Sequence, residues 1–483
     1  MNPAKAQSGI AHWMRQVSIE IDNSDKSLED KTVHDLRVAL RRCRALGDGF
    51  RQIDPDKSWK KMRRQGAALF DSLGELRDCH VMQQWVKKLG EDGDPATAAL
   101  LSHAERQEQV LQEHAMQALH HFDQKRWNSL AATLSRRSAR LRPGSSVFQA
   151  LALEKWTAAR KLENAALRTG SATDFHRLRI AVKKFRYVVE NFLPQHEEEW
   201  TNSLKKIQDL LGEIHDLDVL MQTAQGISAF ETLESRQFWE ALIQSERGMR
   251  IEHYKRLMLG EGSFWKLWRS GLPRGRESRH ASLTKLQAWS SYLDSDVRHS
   301  RRVARFALRI FDGLVRCGVI EGEDAKSRER LHAAAVVHEV GRAEQKNGHH
   351  KRTESMVAEM DPLPGWSRRE VEIIARIARY HRGALPGNAV LREFPPAQRR
   401  SIMVLSGILR LANALDAEHD GRIRRINISC RDSAIVMHAE GFQPSSDLAE
   451  TIAAGRYLLE LSCGLPVIMK PLQKRRTATT RNQ

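Results

Sequence analysis

The chain has 483 residues and carries 78 Lys and Arg against 60 Asp and Glu, which gives a formal net charge of +18. The length predicts roughly two to four domains, and the charge predicts a polyanionic partner such as nucleic acid, an anionic membrane surface or polyphosphate. An aromatic content of only 6% argues against recognition of single strands by base stacking, which needs exposed rings.

The five cysteines are widely scattered and contain no CxxC pair. They therefore predict neither a disulfide framework nor a structural zinc site, and they fit a reducing, cytoplasmic location. The N-terminus lacks the apolar core of a signal peptide, and no stretch approaches the ~18 apolar residues of a membrane span. We therefore expect no membrane partner.

Apolar residues recur at helical spacing from the N-terminus to about residue 269, and no convincing strand is visible there. The polar, basic segment 270–282 is rich in helix breakers and predicts a linker. Helices resume from residue 283, and a hairpin, a helix near 445–462 and the strand "PVIMK" predict a small α/β cap. The basic tail 471–483 follows. The fold class is thus mostly α.

A stripe of basic residues occurs twice, in "HDLRVALRRCRA" (34–45) and in "HRLRIAVKKFR" (176–186). On a helical wheel His34, Arg37, Arg41 and Arg44 share one face and the apolar residues occupy another arc. Like charges stacked along a helix repel one another, so the stripe predicts an anionic ligand, although a solvated basic face remains an alternative. The stripe residues are His34, Arg37, Arg41, Arg42 and Arg44, and His176, Arg179, Lys183, Lys184 and Arg186.

A second motif also repeats, as "LGELRDCHV" (73–81) and "LGEIHDLDV" (211–219). Two motifs repeated in the same order predict two similar helical bundles, roughly 5–140 and 145–260, each presenting one cationic helix. Because a repeated anion-binding helix gains avidity only if one ligand reaches both copies, we expect the two stripes to face a shared groove.

These repeated motifs closely resemble the CHAD family, the conserved histidine α-helical domain, over the region 1–269. The resemblance implies a pair of four-helix bundles forming a basic channel that binds inorganic polyphosphate. It places the ligands on the stripe residues above. Supporting contacts are expected from Lys60, Arg63, Arg64, Lys205 and Lys206.

The region 283–470 resembles another family, the C-terminal HD-like domain of exopolyphosphatases and guanosine pentaphosphate phosphohydrolases (Ppx/GppA). The matching segments include "LHAAAVVHEVGR" (331–342), "IARYHR" (377–382) and "LRLANALD" (409–416). Those enzymes carry their phosphatase chemistry in an N-terminal actin-like fold, and its glycine-rich phosphate loops are not found in this sequence. Activity is therefore not inherited from that half.

HD phosphohydrolases hold a divalent metal with a histidine, a His-Asp pair and a distant aspartate, so the resemblance implies the candidates His299, His338, Glu339 and Asp416, with Mg²⁺ or Mn²⁺ as the ion. The pair here is His-Glu, so a buried polar pair without metal remains an alternative. We expect His338 and Asp416 to approach one another without forming a complete, open metal site. The candidates for an anion groove in this domain are His349, His350, His381 and Arg382.

The sequence favours a cytoplasmic protein that binds inorganic polyphosphate, with granules of that polymer as a candidate location, over an enzyme. The HD-like domain is expected to extend the groove or to mediate a homodimer. The alternative is a metal-dependent phosphohydrolase, exopolyphosphatase-like, acting on polyphosphate or phosphorylated nucleotides. Nucleic-acid binding is a third reading that the same charge permits.

Overall fold

The computed structural model describes residues 9–24, 30–227, 232–320, 325–387, 389–431 and 433–472. In these residues the protein is mostly helical, with eighteen α-helices and a small three-stranded sheet near the C-terminus, which confirms the predicted fold class. None of the described helices combines the length and apolar character needed to cross a membrane. The chain divides between Ala281 and Ser282 into two units.

The helices of the first unit follow the apolar periodicity of the sequence. They are α1 (Ile10–Ser24), α2 (Asp30–Phe50), α3 (Lys57–Gln65), α4 (Ala67–Leu89), α5 (Pro95–His120), α6 (Gln124–Ser138), α7 (Ser146–Thr169), α8 (Ala172–Phe192), α9 (Glu197–Gly226), α10 (Leu233–Met258) and α11 (Phe264–Ser270). Side-chain caps fix the starts of α3, α5, α6, α8 and α10. Ser171, for example, accepts a hydrogen bond from the backbone N–H of Asp174 at 3.2 Å, immediately before α8.

Two sets of helices repeat the same arrangement. The first basic stripe lies on α2 and the second on α8, while the repeated LGE motif lies on α4 and on α9. Helix α2 contacts α8, and α4 contacts α9, so the two repeats join through equivalent helices. The symmetry predicted by the sequence therefore brings both stripes to one junction.

An aromatic cluster packs at the junction of the two basic helices. Phe50 at the end of α2 meets Phe192 at the end of α8 edge to face, with ring centroids 5.2 Å apart, and Phe148 stacks on Phe192 at 4.1 Å. A Cβ on Gly49 would lie 2.6 Å from the Phe192 ring, so glycine permits this close approach. The cluster fixes the relative positions of α2 and α8.

The second unit is helical up to its C-terminal cap. Its elements are α13 (Val297–Arg316), α14 (Ala325–Val337), α15 (His349–Ala358), α16 (Arg368–Arg379), α17 (Pro396–Ala414), β1 (Ile426–Arg431), β2 (Ala434–Ala439), α18 (Asp447–Cys463) and β3 (Val467–Pro471). One hydrophobic core runs through these helices and the sheet. A Cβ on Gly407 of α17 would lie 2.8 Å from the backbone of Leu459, so α17 and α18 pack in close contact.

The sheet has the order β1-β2-β3. Strands β1 and β2 form the expected antiparallel hairpin, with Ile426 opposite Ala439, and β3 pairs parallel to β2, with Val467 opposite Ile435. Helix α18 provides the crossover that a parallel pair requires.

The expected linker 270–282 is largely helical, because α12 (Gly275–Leu293) begins inside it and contains the division between the two units. The breakers that suggested a linker, Gly271, Pro273 and Gly275, all precede the helix interior. Most of the predicted basic tail, residues 473–483, lies outside the described residues.

Candidate functional site

A basic groove lies between α2 and α8 in the first unit. One cavity of about 270 Å³ is lined by Arg37 and Arg41 from α2 and by Arg179 and Lys183 from α8. A second cavity of about 530 Å³ shares the three arginines and adds His34, which is exposed. Both stripes therefore contribute cations to one groove, as the repeat predicted.

The helical periodicity explains this placement. Leu36, Ala39 and Leu40 are almost completely buried and turn their arc of α2 into the bundle. Arg37 and Arg41 are four residues apart and share the opposite face, as do their counterparts on α8. Local spacing thus places the cations on one face of each helix, and the contact between the two helices brings the two cationic faces together.

The LGE motif of α4 positions Arg37. The Arg37 Nη1 donates a hydrogen bond to the carbonyl oxygen of Leu73 at 3.0 Å, and its Nη2 lies 3.6 Å from Asp78. A Cβ on Gly74 would lie 3.3 Å from the Arg37 guanidinium, so the glycine leaves room for it. The motif therefore positions an arginine of the first stripe, a role that the sequence interpretation did not assign to it.

The cations crowd one another inside the groove. The pKa of Lys183 is lowered to about 8. Burial is the largest cause, and the nearby charges of Arg179 and Arg41 act in the same direction. Burial likewise lowers the pKa of Arg37. The buried Nε of Arg41 has no hydrogen-bond partner among the described residues. An anion would satisfy this donor and relieve the repulsion.

Carboxylates also line the groove, and sequence interpretation missed them. Asp209, Glu213 and Asp216 line the smaller cavity. Burial is the main cause that raises the pKa of Asp216 to about 6; the charge of Arg179 opposes this rise, and the charges of Asp78 and Glu213 add to it. Arg77, another missed residue, lines the larger cavity. The signal that could have found Arg77, Asp78 and Asp216 is the repetition of the LGE motif itself.

Several stripe residues face away from the cavities. Arg42 of α2 and Arg186 of α8 both bind the nearly buried carboxylate of Glu190, each at 2.5 Å. Arg44 pairs with Asp71 at 3.2 Å, and its guanidinium lies over the Phe70 ring. Arg186 and Glu190 both lie on α8, so the ion pair of Arg42 with Glu190 is the one that joins the two repeats.

The remaining basic candidates occupy other positions. Lys184 is exposed, His176 packs against the ring of His215 with centroids 4.8 Å apart, and Arg63 pairs with Asp48 at 3.0 Å. Burial lowers the pKa of His215 to about 4, and the Arg179 and His176 charges add to this effect. Lys60 and Arg64 are exposed on α3 and do not line either cavity of the groove as described.

Lys205 and Lys206 line a third cavity of about 620 Å³, together with Arg250 and Arg256. This cavity shares Asp209 and Glu213 with the smaller cavity of the basic groove. The two cavities are therefore neighbours along α9. Arg250 and Arg256 of the third cavity come from α10, which carries no motif that the sequence interpretation had singled out.

A cluster of histidines around Glu339 lies in the second unit. Glu339 Oε1 lies 3.4 Å from His349 Nε2, 3.5 Å from His381 Nε2 and 3.7 Å from His338 Nε2. The two nitrogens of His349 and His381 are 3.3 Å apart. Burial lowers the pKa of His338 to about 3, and burial also lowers the pKa of His381. His349 and His381, expected in an anion groove, thus lie beside Glu339, and His381 also lines an arginine-lined cavity.

Asp416 is held by His299 and Arg302, and its expected approach to His338 stays a prediction. Its carboxylate binds His299 Nδ1 at 2.7 Å and accepts hydrogen bonds from Arg302 Nε at 2.8 and 2.9 Å. Burial raises the pKa of Asp416, but the bonds from His299 and Arg302 outweigh this and hold the pKa below its usual range. Arg302 is the partner that sequence interpretation missed.

An arginine-lined cavity of about 280 Å³ opens beside the histidine cluster around Glu339. It is lined by Glu339 and His381 and by three arginines, Arg342, Arg382 and Arg410. Of the other expected anion-groove residues, His350 does not line this cavity as described. Burial lowers the pKa of His350 to about 4, and Arg379 adds to the effect.

Comparisons with known proteins agree with the division of the chain into two units. Residues 15–225 match the CHAD domain family, and residues 279–441 match the family "Ppx/GppA phosphatase, domain III". The crystal structure of the CHAD domain from the plant Ricinus communis is 22% identical with a TM-score of 0.40, covering 51% of this chain and 88% of that chain. No curated protein matches the sequence. The two family matches show that the chain contains a CHAD domain followed by domain III of the Ppx/GppA phosphatase family.

Proposed function

We propose that the first unit binds inorganic polyphosphate in the basic groove between α2 and α8. The observation that supports this most directly is that Arg37, Arg41, Arg179 and Lys183, two cations from each repeat, line a single cavity. A linear phosphate chain has a charge at every unit and can contact both helices at once, which gains avidity over either alone.

The chemistry of the groove favours an anionic polymer over a neutral ligand. Arginine presents a planar fork of donors that suits bidentate contacts to phosphate, and three of the four cations named above are arginines. The pKa of Lys183 is lowered first by burial and then by the charges of Arg179 and Arg41. A polyanion supplies negative charge beside these cations and releases its counterions on binding, so affinity should fall steeply with salt.

The neighbouring cavity extends the path that we propose for the chain. Lys205, Lys206, Arg250 and Arg256 continue the line of cations beyond Asp209 and Glu213. In this proposal Arg42 and Arg186 both bind Glu190, and the Arg42–Glu190 ion pair holds α2 against α8. Cytoplasmic polyphosphate granules are the location that this function predicts. Dimerisation or groove extension by the second unit stays a prediction.

The test is calorimetric titration of the whole protein with polyphosphate of defined length. Replacing Arg37 and Arg41 together by Glu should weaken binding at least about 100-fold, because each reversal costs more than one contact of ~1.4 kcal/mol. The matched control is Lys60→Glu with Arg64→Glu, which changes the net charge by the same amount on the exposed face of α3. Equal loss in both double variants would mean that net charge alone attracts the polymer.

Nucleic acid is distinguished in the same experiment by competition. Polyphosphate should displace duplex DNA at a much lower concentration of phosphate units, since the groove is built for a flexible chain. Displacement at equal concentrations would assign the groove to polyanions in general.

A further inference from the structure

Three donor atoms in the second unit have the spacing of a metal site. Glu339 Oε1, His349 Nε2 and His381 Nε2 are separated by 3.3, 3.4 and 3.5 Å. Tetrahedral coordination with bonds of about 2.0–2.1 Å places ligands about 3.3–3.4 Å apart. We propose that these three residues hold a divalent transition-metal ion whose open coordination position faces an anion pocket that accepts a phosphate group.

The hydrogen bonds of the two imidazoles orient them as ligands. His381 Nδ1 lies 2.7 Å from the carbonyl oxygen of Ala378, and His349 Nδ1 lies 3.3 Å from that of Lys346. A carbonyl only accepts, so each Nδ1 carries the hydrogen and each neutral ring turns an Nε2 lone pair toward Glu339. This backbone anchoring of the second nitrogen is usual for metal-binding histidines.

The cluster is unfavourable without a cation. While both rings are neutral, two lone pairs and a carboxylate oxygen face one another, and none of the three atoms has a hydrogen to donate. His338 adds to the problem, because its Nδ1 donates to Ala335 O at 2.8 Å and its fully buried Nε2 has no hydrogen-bond partner within the described part of the chain. Leaving such an atom unsatisfied costs about 1–3 kcal/mol. A metal ion beside Glu339 stabilises the whole group.

The ligand set differs from the one that the sequence predicted. His299 is excluded because both of its ring nitrogens are engaged, Nδ1 by Asp416 and Nε2 by Asn413 at 3.1 Å. Two imidazoles and one carboxylate suit Zn²⁺, Mn²⁺, Fe²⁺ or Co²⁺ better than Mg²⁺, which prefers oxygen ligands and retains water. Three protein ligands leave one position open for an exogenous group.

The cavity beside the cluster supplies the anion pocket. Glu339 and His381 form part of its wall, and Arg342, Arg382 and Arg410 supply positive charge. Arg410 Nη2 donates to Gly383 O at 2.6 Å, which fixes the guanidinium, while its buried Nη1 has no partner among the residues described. Arg342 contacts the other oxygen of Glu339, so Oε1 is left for the metal. A fixed arginine with a free donor next to a metal ion is suited to a phosphate oxygen.

Metal binding is tested on the whole chain, stripped with a chelator and titrated with Co²⁺ and Zn²⁺. We expect one equivalent per chain by elemental analysis, a Co²⁺ absorption spectrum typical of four-coordination, and a rise in melting temperature with metal. His349→Gln and Glu339→Gln should each weaken binding at least about 100-fold, since even outer-sphere changes cost 10- to 100-fold. The adjacent His350→Gln is the matched control and should bind as wild type.

Absence of stoichiometric metal in the wild type would overturn the proposal without any variant. A loss of metal in His299→Gln together with retention in His349→Gln would also overturn it, because the ion would then occupy the other side of Glu339. The Arg37→Glu, Arg41→Glu variant should retain its metal, so failure here and failure of the polyphosphate proposal are separable.

The phosphate pocket has its own readout. Inorganic phosphate or a phosphate monoester added to the Co²⁺-loaded protein should perturb the Co²⁺ spectrum. Arg410→Met should weaken this phosphate response at least about tenfold, the loss of one charged hydrogen bond, while metal affinity is unchanged. Arg400→Met, on the exposed face of the same helix, is the control. An unaltered spectrum at saturating phosphate would contradict the anion pocket.

Discussion

Arg41 and Lys183 occupy equivalent positions in the two repeats, line the same cavity, and interact electrostatically, the charge of Arg41 helping to lower the pKa of Lys183. The packing of α2 against α8 makes these two cations face one another. Such an arrangement is repulsive in the free protein, and the repulsion is relieved when an anion binds between them.

Polyphosphate affinity should decrease as the pH rises through about 8. The pKa of Lys183 lies near 8 in the free protein, so this lysine is cationic below that pH and neutral above it. Bound polyphosphate stabilises the charged form, and binding near pH 8.5 should therefore take up protons. Calorimetry in buffers of different ionisation enthalpy measures this uptake. In Lys183→Arg the decrease above pH 8 should vanish, and a retained decrease would assign the effect to another group.

Polyphosphate affinity should increase as the pH falls through about 6. Asp216 has its pKa raised to about 6, so below that pH the carboxyl is neutral and no longer repels a phosphate chain. Asp216→Asn should therefore bind more tightly than wild type at pH 7 and should lose this increase. Glu240→Gln, an exposed carboxylate that does not line the described cavities, is the control for net charge. A wild-type pH profile in Asp216→Asn would contradict the assignment.

Gly74→Ala should weaken polyphosphate binding about threefold, well under 1.4 kcal/mol, because its Cβ would lie 3.3 Å from the Arg37 guanidinium and displace it. The control is a glycine of α10 that does not line the described cavities. A Cβ on Gly248 meets nothing within 4 Å in the described structure, so Gly248→Ala should leave affinity unchanged. Both variants should stabilise their helices slightly, since alanine has the higher helix propensity. Equal affinities in the two variants would show that Arg37 is not positioned by this contact.

Glu190→Gln should lower stability without lowering polyphosphate affinity. The nearly buried carboxylate binds Arg42 and Arg186, and its neutralisation leaves two arginines facing one another across the repeats. We expect a loss of about 2 kcal/mol, or about 4 °C in the midpoint of thermal unfolding. Glu240→Gln removes a surface partner of Arg236 and should change the midpoint little. If affinity fell in Glu190→Gln while the midpoint stayed constant, Glu190 would belong to the binding groove.

The sequence by itself determined the helices, the repeat and the two basic stripes. These features are local, because a helix places residues three and four apart on one face whatever its neighbours are. The resemblance of residues 331–342 to the Ppx/GppA family identified the adjacent pair His338 and Glu339, which no packing arrangement can separate.

Only the tertiary structure decided which stripe residues share the groove. Helical geometry already turns Arg42 about 100° away from Arg41, but the packing of α2 against α8 decided that Arg41 lines the cavity and that Arg42 binds Glu190. In the second unit, Arg302 binds Asp416, and His349 and His381 meet at Glu339. The side chains concerned come from different helices, so their meeting depends on how those helices pack.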